Sequence, residues 1–464
     1  MNNTKQKLQY KRMFENKGHR PWWSIPHLAI LGGPLRELTG FGYKNTIYIV
    51  NSGMSNSAYF EVNEMLESTK HFDNLYRSRT KTKKLIDEVK ERFSKTRKCE
   101  QWAWTQNWST QPIEQILQNL DHVYEVLWRV FPCMFISQPQ HVTSLEKRIN
   151  DLIGNKQNAS EILREATYYK GEMPWTKEKT EIEKYHHKYD SLSGSEQREI
   201  LKKLVSSYGW LNNIEGDTSF DVKHYEKELR EFTKEVEYHP TGIELHPKIK
   251  TLGALIGELG FLRFWSRWHF MHLRYHIKMI LREIVQRTGM PDLEYATLNE
   301  VKLFLKKQNI DLNEIKNRKS GYTSVLVHDE TKIITGELQK KYIKLCAEIT
   351  QDTEEIKGSI ANKGNARGKV RIVSFSATDY NQQVASFEKG EILVTGMTRP
   401  QIVHLCKKAA AIVTDEGGIT SHAAVISREF GIPCIIATHN ATRILKTGDL
   451  VEVDADHGVV KKIN

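Results

Sequence analysis

The sequence predicts an α+β protein in two parts: a large, mostly α-helical N-terminal domain over residues 1–352 and a β/β/α domain over residues 364–464. Apolar residues at the spacing of a helix face dominate the first part, whereas short apolar runs separated by glycine turns dominate the second. Residues 353–363 are charged, and we expect them to form a hinge linker between the two parts. A chain of 464 residues can hold two or three domains with separate cores.

The N-terminal part is predicted to open irregularly, because Pro21, Pro26 and Pro34 lack the backbone N–H that a helix interior needs. A β-type run then predicts a strand over 46–50. A polar turn between two apolar runs predicts a hairpin from 324–328 to 332–335. The helical patterns cover residues 73–98, 113–130, 144–152, 177–207, 222–238, 248–287, 298–307 and 337–348.

The C-terminal part is predicted to be built from short strands with glycine-containing turns between them. The runs over 408–415 and 434–438 are apolar throughout, as central strands of a sheet are. The run over 448–454 instead alternates, which indicates a strand with one face in solvent. The predicted strands lie within residues 364–373, 390–395, 408–415, 434–438, 448–454 and 458–460.

A single histidine, His422, stands at the predicted start of a short helix, directly behind the pair Gly417-Gly418. The glycines allow close approach of the backbone to a ligand and a positive φ. Thr420 or Ser421 can cap the helix, and the N–H groups and dipole of the first turn favour an anion. A neutral imidazole is also a nucleophile near neutral pH. A lone motif of this kind is more typical of a histidine satisfied by structural hydrogen bonds, so the surrounding sequence decides.

The residues around His422 resemble the mobile, swivelling phosphohistidine domain of phosphoenolpyruvate-utilising enzymes, which include pyruvate phosphate dikinase, phosphoenolpyruvate synthase and rifampicin phosphotransferase. The family pattern is Gly-Gly-x-Thr-Ser-His-Ala-Ala followed by Arg-Glu-x-Gly-Ile-Pro. The positions that match are Gly417, Gly418, Thr420, Ser421, His422, Ala423, Ala424, Arg428, Glu429, Gly431, Ile432 and Pro433. The resemblance implies that His422 carries a phosphoryl group and that Gly417, Gly418, Thr420 and Ser421 stabilise it. Gln401 departs from the family, which usually has an acidic residue there.

A basic face runs along the predicted helix over 248–287, where Arg263, Arg267 and Arg274 recur at helical spacing. An ordinary solvated face explains it as well as a cationic wall that meets the phosphohistidine or an anionic substrate. The segment resembles the arginine-rich helix in the middle domain of rifampicin phosphotransferase-like proteins, which makes these arginines candidate acceptor-site residues. Those relatives have His-Arg where this chain has Trp210-Leu211, so the resemblance does not identify the substrate.

Several other classes of site are disfavoured. The glycines of residues 364–369 are one residue too closely spaced for a P-loop, and Val370 replaces the Ser or Thr that would hold magnesium. The five cysteines are scattered without a CxxC pair, which favours free thiols over disulfides or zinc. The histidine pairs His186-His187 and His239/His246 lack metal-ligand spacing, so we expect no metal site.

Charge and hydropathy limit the partners. The net charge of +11 is spread over interleaved basic and acidic residues, which favours an anionic small molecule over nucleic acid. The N-terminus is polar, and no apolar run approaches the ~20 residues that span a membrane. We therefore expect a cytoplasmic protein with neither a membrane nor a nucleic-acid partner.

The layout resembles the last two thirds of a rifampicin phosphotransferase-like enzyme without its ATP-grasp domain. The resemblance implies a dikinase-type phosphotransferase subunit that takes a phosphoryl group from an ATP-grasp partner and passes it to a small-molecule acceptor in the helical part. ATP and Mg are then expected on that partner, with no cofactor bound by this chain. A phosphohistidine carrier read by another protein and an inactive binding module remain alternatives. A pocket beside the basic helix favours the enzyme, a flat helical surface favours the carrier, and a blocked His422 favours the inactive module.

Overall fold

The computed structural model describes residues 9–16, 20–52, 56–154, 158–171, 174–212, 220–232, 241–347, 355–374, 380–398, 402–418 and 421–463. The helices of the N-terminal part are α1 (Pro21–Thr39), α2 (Val62–Arg77), α3 (Arg79–Trp104), α4 (Ile113–Val130), α5 (Pro139–Ile153), α6 (Ala159–Thr167), α7 (Pro174–His186), α8 (Gly194–Tyr208), α9 (Val222–Arg230), α10 (Pro247–Thr288), α11 (Leu298–Leu305), α12 (Leu312–Asn317) and α13 (Gly336–Ala347). Its strands are β1 (Tyr10–Asn16), β2 (Asn45–Asn51), β3 (Asn56–Glu61), β4 (Gly321–Val327) and β5 (Glu330–Ile334).

The helical part is organised around α10, whose 42 residues span about 63 Å at 1.5 Å per residue. Pro247 opens the helix, and Gly289 ends it in the left-handed conformation. α10 packs against α3, α4, α5 and α6. Gly253 and Gly257 permit close contact with α6, because a Cβ at either would lie 2.4 Å from a carbonyl oxygen of Ala166 or Thr167. The helix predicted over 248–287 is therefore confirmed.

The N-terminal part also contains a five-stranded antiparallel sheet with the strand order β1-β3-β2-β4-β5. β2 pairs with β4, so the sheet joins the beginning of this part to its end. The predicted hairpin is confirmed as β4–β5, and its turn places His328 and Asp329 at φ 50° and 70°. Arg36 of α1 donates two hydrogen bonds to the carboxylate of Asp329, at 3.0 and 3.1 Å, and so fixes the turn.

Three expectations about the helical part are wrong. The opening segment is helix α1, which contains Pro26 and Pro34, because burial of Leu28 and Leu31 outweighs the two lost backbone donors. The pattern over 177–207 is broken into α7 and α8, since Ser193 caps a new helix. Strands β1 and β3 were not expected from the sequence, and their stability comes from pairing within the sheet. Residues 233–238, the end of another predicted helix, lie outside the described residues.

The C-terminal unit is a mixed sheet with helices packed against it. Its strands are β6 (Glu355–Lys357), β7 (Ser359–Asn362), β8 (Asn365–Ile372), β9 (Ile392–Thr395), β10 (Ala411–Thr414), β11 (Cys434–Ile436), β12 (Leu450–Asp454) and β13 (Val459–Lys462). Its helices are α14 (Tyr380–Ala385), α15 (Val403–Cys406), α16 (His422–Phe430) and α17 (Ala441–Ile444).

The eight strands follow the order β6-β13-β12-β8-β9-β10-β11-β7, and the four strands from β8 to β11 are parallel. One apolar core joins the sheet to α15 and α16, and a second fills the space between its antiparallel and parallel portions. The C-terminal unit therefore has two layers of strands and one layer of helices. This confirms the predicted α+β class with a β/β/α C-terminal part.

The predicted hinge over 353–363 is wrong in its placement. Residues 355–357 pair with β13 and residues 359–362 pair with β11, so both segments belong to the C-terminal sheet. Backbone hydrogen bonds to two strands hold this segment more firmly than its charged composition indicates. The division of the chain at 352 and 364 otherwise stays a prediction, and residues 348–354 lie outside the described residues.

Two further findings bear on function. Among the described helices, none combines the length and the apolar composition that crossing a bilayer requires. Cys99, Cys133, Cys346, Cys406 and Cys434 are all buried free thiols.

The buried histidines predict loss of stability in acid. Burial lowers the pKa of His27, His141 and His276 from 6.5 to about 3, so each stays neutral in the folded protein while the unfolded chain takes up protons below its ordinary pKa. The free energy of unfolding should therefore fall as the pH drops through the window from 6.5 to about 3. Urea denaturation at about pH 7 and about pH 5 measures this change.

A His276→Phe variant tests the physical cause, because Nε2 of His276 is buried and has no hydrogen-bond partner among the described residues. The ring can still pack beside Trp104 and Tyr275. We expect the variant to lose less stability between the two pH values than the wild type. An unchanged pH dependence would assign the effect to other groups.

Candidate functional site

The loop that precedes His422 lies where three parallel strands, β9, β10 and β11, end at one edge of the sheet. The backbone N–H of Asp415 donates to Thr395 O at 3.1 Å, and that of Glu416 donates to Gly396 O at 2.9 Å. On the other side, the N–H of Thr438 donates to Thr414 O at 3.0 Å. The three loops are thus tied to one another by main-chain bonds, which fixes the path of residues 415–418 whatever the surface side chains are.

His422 is the first residue of α16, and Ser421 is its N-cap, with Oγ accepting from Ala424 N. Gly417 has a φ of 133°, and a Cβ there would lie 2.9 Å from Oγ of Ser421. Ser421 N also donates to Gly418 O at 2.8 Å, so the glycine pair folds back onto the cap. Thr420, the other candidate cap, lies outside the described residues.

The imidazole of His422 is held by a side chain that the sequence analysis did not assign to the site. Its Nδ1 lies 2.9 Å from Oγ1 of Thr398, a hydrogen bond, and Thr398 is buried at the end of the loop after β9. A bond at Nδ1 fixes the ring orientation, and because a hydroxyl can donate or accept it is formed by either tautomer of the imidazole. The only signal in the sequence is the Thr-x-Pro segment that begins at Thr398, which marks a loop but does not identify a partner for the histidine.

A second unassigned residue, Asp415, anchors the loop. Its carboxylate is buried and accepts from Oγ1 and backbone N of Thr442, and from Oγ1 of Thr438. It also forms an ion pair with Arg12 of β1, at 2.9 Å. These contacts join the end of β10 to the loop after β11 and to the N-terminal sheet.

The loop after β11 holds two non-glycine residues in the left-handed region, Ala437 at φ 56° and His439 at φ 66°. Such backbone costs on the order of 1–2 kcal/mol per residue and persists where surrounding contacts impose it. The contact here is the N–H of His439, which donates to Asp415 O at 2.9 Å. Two of the left-handed non-glycine residues of the described chain thus lie beside the histidine loop.

Two of the three candidate arginines lie within electrostatic range of this loop. Arg263 and Arg267 of α10 both experience the charge of Glu416, and Arg263 also experiences that of Glu146 on α5. Burial lowers the pKa of Arg263 to about 10, helped by Arg267, while Glu416 and Glu146 oppose the change. Burial likewise lowers the pKa of Arg267. The helical part therefore presents two crowded, half-buried cations to the histidine loop.

Arg274 is placed differently. It lies about 16 Å further along α10 than Arg263, at 1.5 Å per residue, and it is buried. Its charge acts on His27 and Tyr124 in the core of the helical part. The helical spacing places the three arginines on one face of α10. Only Arg263 and Arg267 lie near the histidine loop, because Arg274 is too far along the helix axis.

A separate polar cluster lies between α3 and α10. His269 Nδ1 is 2.8 Å from Oε1 of Glu100, and His272 Nδ1 is 3.6 Å from the same atom. Burial raises the pKa of Glu100, but the two histidines outweigh it and lower that pKa to about 2. Within the described residues no group of three or more His, Cys, Asp or Glu has the arrangement of a metal site.

The comparisons with known proteins agree with the site. Residues 387–458 match the family described as PEP-utilising enzyme, mobile domain. The phosphoenolpyruvate synthase of Pyrococcus furiosus is 48% identical over 120 residues, which are 25% of this chain and 14% of that protein. The probable phosphoenolpyruvate synthase of Archaeoglobus fulgidus is 46% identical over 116 residues, 24% of this chain and 15% of that protein. The C-terminal unit is therefore a mobile domain of the PEP-utilising enzyme type.

These two similarities each cover about a quarter of this chain. The chain spans less than a fifth of the length of these curated relatives. The solution structure of an Enzyme I protein aligns with 76% of this chain and 80% of its own, at 14% identity and a TM-score of 0.18. A score of that size does not establish a shared fold for the helical part.

The geometry predicts that Gly417 is needed for the shape of the loop. A Gly417→Ala side chain would meet Ser421 and would force an L-residue to φ 133°. We expect a loss of about 1–3 kcal/mol in the free energy of unfolding. The matched control is Gly396→Ala, because a Cβ at Gly396 meets no atom within 4 Å. Chemical denaturation of the two variants checks this, and equal stability would show that the loop tolerates the substitution.

Proposed function

We propose that the protein is a phosphotransferase component in which His422 accepts a phosphoryl group and passes it to an acceptor bound by the helical part. The observation that supports this most is the hydrogen bond between Thr398 and Nδ1 of His422, at 2.9 Å, in a domain of the PEP-utilising mobile type. It orients an imidazole at a helix N-terminus, as a phosphoryl carrier needs.

The tautomer determines which nitrogen reacts. With Nδ1 protonated and donating to Oγ1 of Thr398, the lone pair lies on Nε2. Nε2 then attacks the phosphorus, a P–N bond forms, and the P–O bond to the donor breaks. In the second half-reaction the P–N bond breaks and the acceptor oxygen takes the phosphoryl group. The imidazole thus returns to its starting state.

The phosphoryl charge needs stabilisation while it rests on the histidine. The positive end of the α16 dipole, capped by Ser421, favours an anion beside the first turn. Gly417 and Gly418 place no side chain there, and Oε1 of Glu146 lies 2.9 Å from the position that a Cβ of Gly418 would take. We assign Thr420 to the same stabilising role. Phosphoryl transfer depends mainly on such positioning and charge compensation.

The donor is proposed to be an ATP-grasp unit, with ATP and Mg bound to it, outside these 464 residues. The support is the family pattern around His422 together with the similarity of this chain to phosphoenolpyruvate synthases. The acceptor is proposed to be a small molecule held near Arg263 and Arg267, which lie within electrostatic range of Glu416 in the histidine loop. Movement of the C-terminal unit as a body would let one histidine serve both sites. The cytoplasmic location predicted from the sequence remains a prediction.

Phosphorylation of His422 can be tested directly. The full chain is incubated with ATP, Mg and a cell extract that supplies the donor, and its intact mass is recorded before and after mild acid. We expect one added phosphoryl group that acid removes, because a phosphoramidate hydrolyses quickly in acid. His422→Ala should abolish it. The control His457→Ala should retain it, because that side chain of the same unit is 78% exposed and pairs only with Asp454 among the described residues. An acid-stable adduct, or one that persists in His422→Ala, contradicts the proposal.

The role of the arginine pair is tested by transfer away from His422. Arg267→Ala should leave phosphorylation of His422 within about twofold and slow its loss to the acceptor by about tenfold or more, because a charge that stabilises the moving phosphoryl group is removed. The matched control is Arg282→Ala, an exposed arginine of the same helix. The decay of the phosphorylated mass in a metabolite extract measures the step. Equal decay in both variants would favour the carrier alternative, in which another protein receives the group.

A further inference from the structure

The acidic pair at the start of the histidine loop faces two different parts of the helical region. Glu416 acts on Arg263 and Arg267 of α10. Asp415, one residue earlier, instead pairs with Arg12 of β1. The loop is thus held from two sides, and only the α10 side was anticipated from the sequence.

The contact with Arg12 is direct and largely shielded from water. Its guanidinium donates to Oδ2 of Asp415 at 2.9 Å and to Oγ1 of Thr442 at 3.3 Å. The side chains of Arg12 and Asp415 are only 12% and 4% exposed. Ion pairs this buried depend strongly on both partners, because removing one leaves the other charge without compensation.

The surroundings of this pair are positively charged. Burial lowers the pKa of Lys11, and burial together with Lys11 and Arg443 lowers the pKa of His439 to about 4. Burial raises the pKa of Tyr59 on β3, and Arg12 and Arg443 oppose that rise. Strands β1 and β3 therefore pack against the loop after β11 with three cations close together. Asp415 is paired with one of them, Arg12.

We propose that Arg12 is a positioning residue whose ion pair with Asp415 seats the histidine loop on the helical part. It acts on docking and not on the shape of the loop. When Arg12 is absent, Asp415 still accepts from Thr438 Oγ1 and from Oγ1 and N of Thr442, so the loop keeps its internal bonds. That this seated position is the acceptor-facing one rests on the proposed function.

The structure makes docking measurable on the full chain. All five native cysteines are buried, so spin labels can be placed selectively at Lys84→Cys on α3 and at Lys408→Cys in the C-terminal unit, both exposed positions. Pulsed electron paramagnetic resonance then measures the distribution of distances between the two spin labels, one on each part of the chain. We expect one narrow distribution for the otherwise unchanged protein.

Arg12→Gln should add a second, broader population and lower the ratio of docked to undocked molecules by about tenfold or more. Arg12→Lys keeps the charge and should restore part of the docked population. Arg36→Gln is the matched control, because it removes an arginine–carboxylate pair that lies wholly within the helical part, and it should leave the distribution unchanged. Asp415→Asn, which keeps hydrogen-bonding capacity but loses the charge, should resemble Arg12→Gln.

A second readout separates docking from loop damage. Arg12→Gln should be phosphorylated on His422 to the same extent as the wild type in the assay with ATP and extract, while the phosphorylated form should persist longer in the presence of acceptor. An unchanged distance distribution in both Arg12→Gln and Asp415→Asn overturns the proposal. So does equal loss of phosphorylation, which would make Arg12 part of the loop itself. The distances are measured without phosphoryl transfer. Failure to phosphorylate His422 would therefore reject the proposed function, whereas the distance distributions alone decide whether Arg12 controls docking.

Discussion

The site depends on one constraint: the ends of three parallel strands are tied together by main-chain hydrogen bonds. Asp415 N to Thr395 O and Thr438 N to Thr414 O align the loops after β9, β10 and β11. With that edge fixed, Gly417 and Gly418 turn the chain into the Ser421 cap, and α16 begins with its histidine directed at Thr398. Backbone bonds of this kind are obligatory in a buried region, so the position of His422 follows from the sheet.

The charges between the two parts are arranged in balanced pairs. On the α10 side Arg263 and Arg267 crowd each other, and Glu416 and Glu146 oppose the effect of their burial. On the β1 side Arg12 meets Asp415 within a cluster of further cations. Buried charges are tolerated only when they are compensated. The acidic residues of the histidine loop, Asp415 and Glu416, compensate arginines of the helical part. A surface of this kind favours a specific docked orientation and still lets the parts separate into water, where each charge is solvated.

The long helix α10 serves several purposes along its length. Within its first third Gly253 and Gly257 allow α6 to pack closely, and Arg263 and Arg267 then lie within electrostatic range of Glu416. Further on, His269 forms a hydrogen bond with Glu100, and His272 lies 3.6 Å from the same carboxylate. Arg274 is on the arginine face but three turns away, in the core beside His27. The contacts of a helix residue depend both on the face of the helix that it occupies and on its position along the helix axis. The spacing in the sequence correctly predicted that the arginines share a face, but it did not predict which of them lie near the histidine loop.

The sequence by itself determined the two-part α+β organisation, α10, the β4–β5 hairpin and the strands around His422, because periodicity, caps and glycine turns are local signals. It also identified the histidine motif, since glycine pair, cap and histidine are contiguous. Only the tertiary structure showed Thr398, Asp415 and Arg12 at the site, since Thr398 and Arg12 are distant in sequence from His422 and the partners of Asp415 lie on other elements. It likewise turned the proline-containing opening into α1 and residues 355–362 into strands. Burial and pairing with distant segments decide such elements, and neither is encoded in the local pattern.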